Sequence, residues 1–402
     1  MSDIYAAIEI GTTRTLLAVG EPAANGRLCV TCHAEIPSTG VRKSQILDIN
    51  QATQSIKGVL HAIEKKQSEI GSDITIGNAF LVVSGQHIKA DPFTGTIQVD
   101  GRVTDEDIMA VAEQARTIPL AKDRELLDIV EQDYSLDNLG GITAPKGMAG
   151  RVLKLNTLHI HADRNRIEDA RTAANGARLE IREPLFAATC AGEAVLEEHE
   201  RKNGVLVLDI GGGSTGYAVY SDGYLASSGV IGVGGDHVTN DIAHAFQTTQ
   251  SQAESLKINE ATAIIGKAVD GEASRVKLTS SSPLLDSRTI SRRALDTVVN
   301  VRMRELFAVI RDILESQDLL HRLHSGVVIT GGGSAMRDIA TLAQHELGAN
   351  VRIGHPLGID GLENEANPAA FAAIAGALLY AYHTNAPKPL FGLNKLFGGL
   401  FK

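Results

Sequence analysis

No uninterrupted apolar run in the 402 residues reaches the length needed to cross a membrane. The first residues, 1–5, carry neither a basic stretch nor an apolar one. A secretory signal and a transmembrane span are therefore not expected, and the chain reads as cytoplasmic. Basic residues are in short supply, 38 against 48 acidic, for a net charge of −10. That balance argues against a surface built to hold nucleic acid. Cysteine is scarce, with Cys29, Cys32 and Cys190 the only three. Cys29 to His33 has the form of a c-type haem attachment site. The segment alternates like a strand, however, so the two thiols should face opposite ways and serve as ordinary strand cysteines. Two common nucleotide signatures are missing as well. No G-x-x-x-x-G-K-[ST] occurs, and no G-x-G-x-x-G opens a helix at the acidic turns described next.

What is present is a turn that occurs twice. Residues 205–220 form an apolar, β-prone run ending in Asp209, then Gly211, Gly212, Gly213 and Ser214, then a second β-prone run. Residues 5–19 repeat the plan with Glu9, Ile10, Gly11 and the hydroxyls of Thr12 and Thr13. Such turns aim backbone N–H groups at a phosphate, and the carboxylate beside them can hold the shell of a Mg²⁺ ion. A third element, 327–334, is a strand feeding Gly331, Gly332, Gly333 and Ser334, with a helical pattern from Ala335 onward.

At 402 residues the chain should hold two or more domains. Residues 4–36 read as a β-meander, 48–70 as a helix and 79–83 as a buried strand. From about Gln86 to His161 the texture changes to a small α+β unit interrupting the first domain. It has a short β segment at 96–99 and a helix over 105–117, opened by Thr104 and an acidic first turn. A strand over 125–134, a glycine-rich loop at 139–150 and a long alternating run at 152–161 complete it. His159 and His161 share one face of that run; with no third ligand nearby they are expected to be exposed strand histidines. Glu183 and Pro184 are expected to open a helix running to about Glu200, Pro184 sitting at its first position. Gly234 and Gly235 lie in another glycine-rich turn, and helices then dominate, at 238–246, 251–256 and 291–320. A closing alanine-rich helix is expected over 368–383.

The end of the chain differs again. Past a proline-broken linker at 384–389, a helical spacing puts Leu390, Phe391, Leu393, Leu396, Phe397, Leu400 and Phe401 on one face. Lys395 and Lys402 lie opposite, which suits a membrane-interface anchor. Full burial of one Leu or Phe gives ~1.5–3 kcal/mol, interfacial burial gives less, and each of the three glycines costs up to ~1 kcal/mol of helix. A single tail should bind weakly and an array of tails strongly, which favours a protein that polymerises on the membrane.

Two acid-Ile-Gly hairpins and a strand-Gly-Gly-Gly-Ser element resemble the actin, heat-shock-chaperone and sugar-kinase superfamily. Within it, the chain resembles the FtsA family of bacterial cell-division proteins over essentially its whole length. The form of the first hairpin (Glu9 to Thr12), the insert after 83–85, residues 351–356 and the amphipathic end carry that resemblance. It implies an α/β fold of the actin-like duplicated ATPase type: two lobes of mixed five-stranded sheets flanked by helices, with a small inserted α+β subdomain. The implied divisions are subdomain 1A at 1–83 and 164–204, the insert 1C at 84–163, 2A at 205–245 and 325–365, and 2B at 246–324. A closing helix of 1A would occupy 366–383, followed by the linker at 384–389 and the membrane-targeting helix at 390–402.

The resemblance further implies ATP and Mg²⁺ as cofactors. Gly11, Thr12 and Thr13 would cradle the phosphates from one side, and Gly211, Gly212, Gly213 and Ser214 from the other. Arg14, standing where several superfamily members have lysine, would be a further phosphate contact. Asp209 would hold the metal shell, with Glu9 acting through water. Glu254 would take the ribose hydroxyls and Lys257 would lie over the base, while Gly234 and Gly235 close the ribose side. Gly331 to Ser334 with Met336 would form the adenine floor. Glu183 stands where a chaperone carboxylate orients the attacking water. The second hairpin lacks the acid often found after it, so any ATP hydrolysis is expected to be slow at most. Implied partners are the C-terminal peptide of FtsZ (with Arg302 and Glu305 at the contact), further copies of the chain in a filament, other division proteins and an anionic membrane. The implied place is the inner face of the cell membrane at the division site. The rivals are a pilus-assembly adaptor of the PilM type and, further off, a small-molecule kinase of the same fold.

Overall fold

The computed structural model describes residues 4–69, 75–117, 119–266, 274–278 and 288–385. Its frame is one strand plan used twice. In the first half, β1 (Tyr5–Ile10), β2 (Arg14–Pro22) and β3 (Leu28–Pro37) form an antiparallel meander. β6 (Asn78–Val83) joins β1 in parallel, and β11 (Glu180–Phe186) joins β6 in parallel. In the second half, β12 (Val205–Ile210), β13 (Thr215–Ser221) and β14 (Tyr224–Ile231) form the same meander. β17 (Val327–Thr330) and β18 (Val351–Ile353) extend it in parallel. The orders β11-β6-β1-β2-β3 and β18-β17-β12-β13-β14 therefore correspond strand for strand. The first sheet gains a sixth strand, β19 (Ile359–Asp360), parallel to β3, where five were expected. β12 and β17 are apolar throughout their inner residues because both faces of each are covered.

The helices lie on these sheets as their apolar spacing dictates. α1 (Ile49–Glu69) buries Ala52, Ile56, Val59 and Ile63, a single stripe, against β2 and β3. α3 (Arg164–Gly176), capped by Asp163, lies beside it. Between the halves sit α4 (Ala187–Val195) and α10 (Ala372–Asn385). α4 packs on β12 and β13, α10 on β1, β2 and β6, and the two helices pack on each other.

The insert builds its own sheet, in the order β7 (Lys89–Gln98), β10 (Val152–Asp163), β8 (Arg124–Leu136) and β9 (Leu139–Ile142). α2 (Asp105–Arg116) covers it and starts at a complete capping box between Thr104 and Asp107. The second half carries α6 (Gly235–Phe246), α7 (Gln250–Asn259), the β15 (Arg275–Leu278) and β16 (Arg288–Ser291) pair, α8 (Arg292–Ser316) and α9 (Ile339–Leu347). α5 (Glu198–Asn203) precedes β12.

Several expectations are corrected here. Pro184 does not open a helix. It lies in β11, an edge strand, where its missing N–H costs no ladder bond. α4 starts later, at Ala187, and ends at Val195, so the single helix expected up to Glu200 is two. His159 and His161 are buried, at 1% and 4% exposure, because their face of β10 is covered: α2 packs on it, the Phe93 ring lies against His159, and Asp91 and Arg124 bond His161. Part of the expected loop at 139–150 pairs with β8 as β9. The helix expected from Ala335 begins only at Ile339, since Asp338 is left-handed at φ 61°. A short hairpin of β4 (Val41–Arg42) and β5 (Gln45–Ile46) was not foreseen at all. Residues 390–402 lie outside the described residues, and so do all seven residues expected at the membrane.

Candidate functional site: the cleft between the two halves

The two acidic turns are the same structure. Gly11 N–H donates to Arg14 O at 2.9 Å, and Gly211 N–H donates to Ser214 O at 3.0 Å. Glu9 stands opposite Leu16 on β2 and beside Val82 on β6. Asp209 stands opposite Gly216 on β13 and beside Thr330 on β17. Each carboxylate thus occupies the next-to-last position of a strand, at the carboxyl end of a parallel pair.

The turns meet tip to tip. A Cβ on Gly212 would collide with Thr13 Oγ1, and one on Gly213 with Thr12 Oγ1, so the missing side chains let the turns come this close. The third turn joins them: Gly235 N–H donates to Gly211 O and Asp236 N–H to Gly212 O, both at 2.9 Å. Thr13 Oγ1 lies 3.5 Å from Asp236 Oδ1. The tip of the β4–β5 hairpin closes the group, Ser44 N–H donating to Thr12 Oγ1 at 2.8 Å and Ser44 Oγ lying 3.3 Å from Ser214 Oγ. Among the described residues, the N–H groups of Thr12, Thr13, Gly212 and Gly213 have no protein acceptor. Four such donors on turns that meet suit an oxyanion.

The titratable groups around this point are mainly acidic. Burial pushes the Glu9 carboxyl above its usual range, with Arg14 opposing. Burial, reinforced by Glu9, pushes Asp209 up to about 7, again with Arg14 opposing. Asp236 is also raised by burial, against the pull of Lys257. Two enclosed carboxyls that resist ionisation are the donor set a divalent cation would relieve. Among the described residues no three or more His, Cys, Asp or Glu side chains gather as a metal site of their own.

Arg14 reaches this region, with both of its terminal nitrogens already bonded. One bonds Glu35 and another bonds Ala370 O at 2.6 Å, while the guanidinium lies 5.1 Å from the Phe371 ring centre. Lys257 Nζ donates to Glu254 Oε2 at 2.7 Å, Thr239 Oγ1 at 2.9 Å and Gly235 O at 3.2 Å. Glu254, Lys257, Gly234 and Gly235 therefore form one corner of the cleft. Gly331, at φ +80°, lies against Asp209: a Cβ there would strike Asp209 Oδ1. Gly332 to Ala335 form a tight 3₁₀ turn held by Ser334 Oγ donating to Gly331 O at 2.7 Å, and Met336 follows at its end.

Glu183, Arg302 and Glu305 each have partners of their own. The groups acting on Asp209 are Glu9 and Arg14, whereas Glu183 accepts from Tyr380 Oη at 3.1 Å and acts on buried Asp128, pushed up to about 6 mainly by burial. Arg302 and Glu305, expected at a partner contact and not in the cleft, bond each other on α8 at 2.8 Å, and Arg302 makes a two-pronged ion pair with Asp241 at 2.6 and 3.0 Å. Sequence reasoning missed Asp236, Ser44 and Lys43. Asp236 was legible as the residue after two glycines; the hairpin was not, because its turn uses Lys43 and Ser44 at φ 50° and 56° where asparagine and glycine are usual.

A family model described as "Cell division protein FtsA" matches residues 206–376, and one described as "SHS2 domain inserted in FTSA" matches 85–161. The chain is 32% identical over 374 residues to the cell division protein FtsA of Pseudomonas aeruginosa, covering 93% of this chain and 88% of that one. Among solved structures it resembles a PilM-PilN type IV pilus biogenesis complex, with a TM-score of 0.62, 18% identity and coverage of 94% and 98%. It also resembles MreB5 of Spiroplasma citri bound to ADP, with a TM-score of 0.53, 14% identity and coverage of 95% and 97%. These structural likenesses establish the actin-like fold.

Proposed function

From the premise that the chain belongs to the FtsA family of cell-division proteins, we propose that it is an ATP-binding, actin-like protein that polymerises on the inner face of the cell membrane and tethers FtsZ filaments there during division. The observation that carries the nucleotide part is the meeting of Gly11–Thr13 with Gly211–Ser214 in one cleft, each turn with its own enclosed carboxylate. The four unpartnered N–H groups would hold the phosphates. Asp209 would hold the shell of the Mg²⁺, with Glu9 acting through water, and the ion's charge would offset that of the phosphates when both are bound. Glu254 and Lys257 would take the ribose and base, with Gly234 and Gly235 beside them and Gly331 to Met336 as the floor.

The fold divides, on this reading, into 1A, the insert 1C, 2A and 2B, with residues 390–402 as the anchor. Among the described residues no helix is long and apolar enough to cross a membrane, so attachment rests on that amphipathic end. The greater identity to FtsA than to the PilM complex favours the division role over the adaptor role. With Glu183 bonded to Tyr380, we assign it no part in hydrolysis. Sedimentation with anionic liposomes, in ATP and Mg²⁺, tests the proposal: the full chain should pellet, recruit FtsZ and show filaments by electron microscopy on a lipid monolayer. A variant ending at 388 should stay in solution while still binding ATP. Equal pelleting of both would refute the anchor, and absence of filaments on lipid would refute the polymer.

A further inference from the structure

The hairpin that no motif announces stands in the middle of the cleft. Both its central residues, Lys43 and Ser44, take left-handed backbone (φ 50° and 56°), which is costly for side chains other than glycine. The strain is held by contacts to both halves. Ser44 N–H bonds Thr12 Oγ1 at 2.8 Å, Ser44 Oγ lies 3.3 Å from Ser214 Oγ, and Ser84 Oγ lies 3.4 Å from it on a third side. The Lys43 Cα is 3.0 Å from the point a Cβ on Gly213 would occupy. Hairpin tip and both glycine turns therefore converge on one spot.

The cations near that spot are not equivalent. Arg14 is taken by Glu35, the Ala370 carbonyl and the Phe371 ring. Lys257 is taken by Glu254, Thr239 and the Gly235 carbonyl. Lys43 is exposed, and among the described residues its ammonium has neither an ion pair nor a hydrogen-bond partner. It is near enough to the far half to act on His237, in the first turn of α6. The side chains of Glu9, Asp209 and Asp236 beside the turns are all acidic and offer a phosphate no counter-charge, so an incoming polyphosphate needs positive charge that is not already committed. A lysine on a flexible stem supplies it as a movable point charge.

We propose that Lys43, and not Arg14, is the side chain that meets the terminal phosphate of the bound nucleoside triphosphate, and that the strained hairpin exists to deliver it between the two turns. The inference rests on the nucleotide reading of the cleft and adds the residue that tells a triphosphate from a diphosphate. Isothermal titration of the full chain with ATP and with ADP, both in Mg²⁺, tests it. Lys43→Ala should lose about tenfold in ATP affinity, the size of one charge-assisted hydrogen bond, while ADP affinity changes by less than about threefold. Lys43→Arg should keep the wild-type preference for ATP. Lys43→Gly, which suits the left-handed backbone and removes the same charge, should behave like Lys43→Ala with an unlowered melting temperature. An ATP-to-ADP affinity ratio preserved in both the alanine and glycine variants would overturn the assignment of Lys43 alone. A wild-type chain that binds neither nucleotide would overturn the nucleotide reading itself, and this inference with it.

Discussion

Replacing Asp209 by asparagine should stabilise the nucleotide-free protein at alkaline pH and remove its response to Mg²⁺. Burial, with Glu9 adding to it, moves the Asp209 carboxyl from 3.8 to about 7 in the folded chain. Below the lower value the group is protonated both folded and unfolded, so it makes no difference to stability. Between the two values the unfolded chain releases its proton and the folded chain keeps it, so stability falls as pH rises. Above about 7 the folded chain bears the charge at full cost. A displacement of about 3 units corresponds to about 4 kcal/mol at 1.36 kcal/mol per unit; partial access from the cleft lowers this to about 2–4 kcal/mol. Asp209→Asn removes the charge and keeps the shape. Its melting temperature without metal should therefore exceed that of the wild type at about pH 8 and match it at about pH 4. Adding Mg²⁺ with nucleotide should raise the wild type's melting temperature and leave the variant's nearly unmoved. If the difference between variant and wild type were the same at both pH values, the carboxyl is not held protonated by its surroundings and the electrostatic argument is wrong.

Two further substitutions probe the frame around the site. Lys257→Met leaves Glu254 and Asp236 without their neighbouring cation; affinities for adenosine, ADP and ATP measured by titration should all fall by a similar factor of about ten. A loss confined to ATP would contradict its place at the nucleoside end. Gly376→Ala tests the crossing of α4 and α10, where a Cβ would run into the Cys190 carbonyl. Helix propensity alone predicts a gain of about 1 kcal/mol, whereas the crossing predicts a loss of about 3 kcal/mol. Urea unfolding reads the sign directly, and a stabilised variant would show that the helices can move apart at no cost.

The strands were the most legible part of this chain. β12 and β17 announce themselves because a strand covered on both faces is apolar along its inner residues, up to Asp209 and Thr330 at their ends, and the acid-Ile-Gly turn repeats because both halves use the same hairpin. Pro184 misled because a proline before an apolar run fits a helix start and an edge strand equally well. His159 and His161 misled because spacing along β10 gives the face a side chain points to, and not whether another layer covers that face.

What the sequence by itself determined is therefore the set of local pieces: two glycine turns beside two acids and a capped helix in the insert. Their chemistry follows from residue type and near-neighbour spacing, which the covalent chain already carries. Only the tertiary structure decided which pieces meet. It set Gly212 against Thr13, turned Arg14 toward Glu35 and drew Glu183 to Tyr380. It also brought Lys43 and Ser44 into a cleft far from them in sequence. Those outcomes depend on how two sheets pack about α4 and α10, and no spacing along the chain encodes a distance across it.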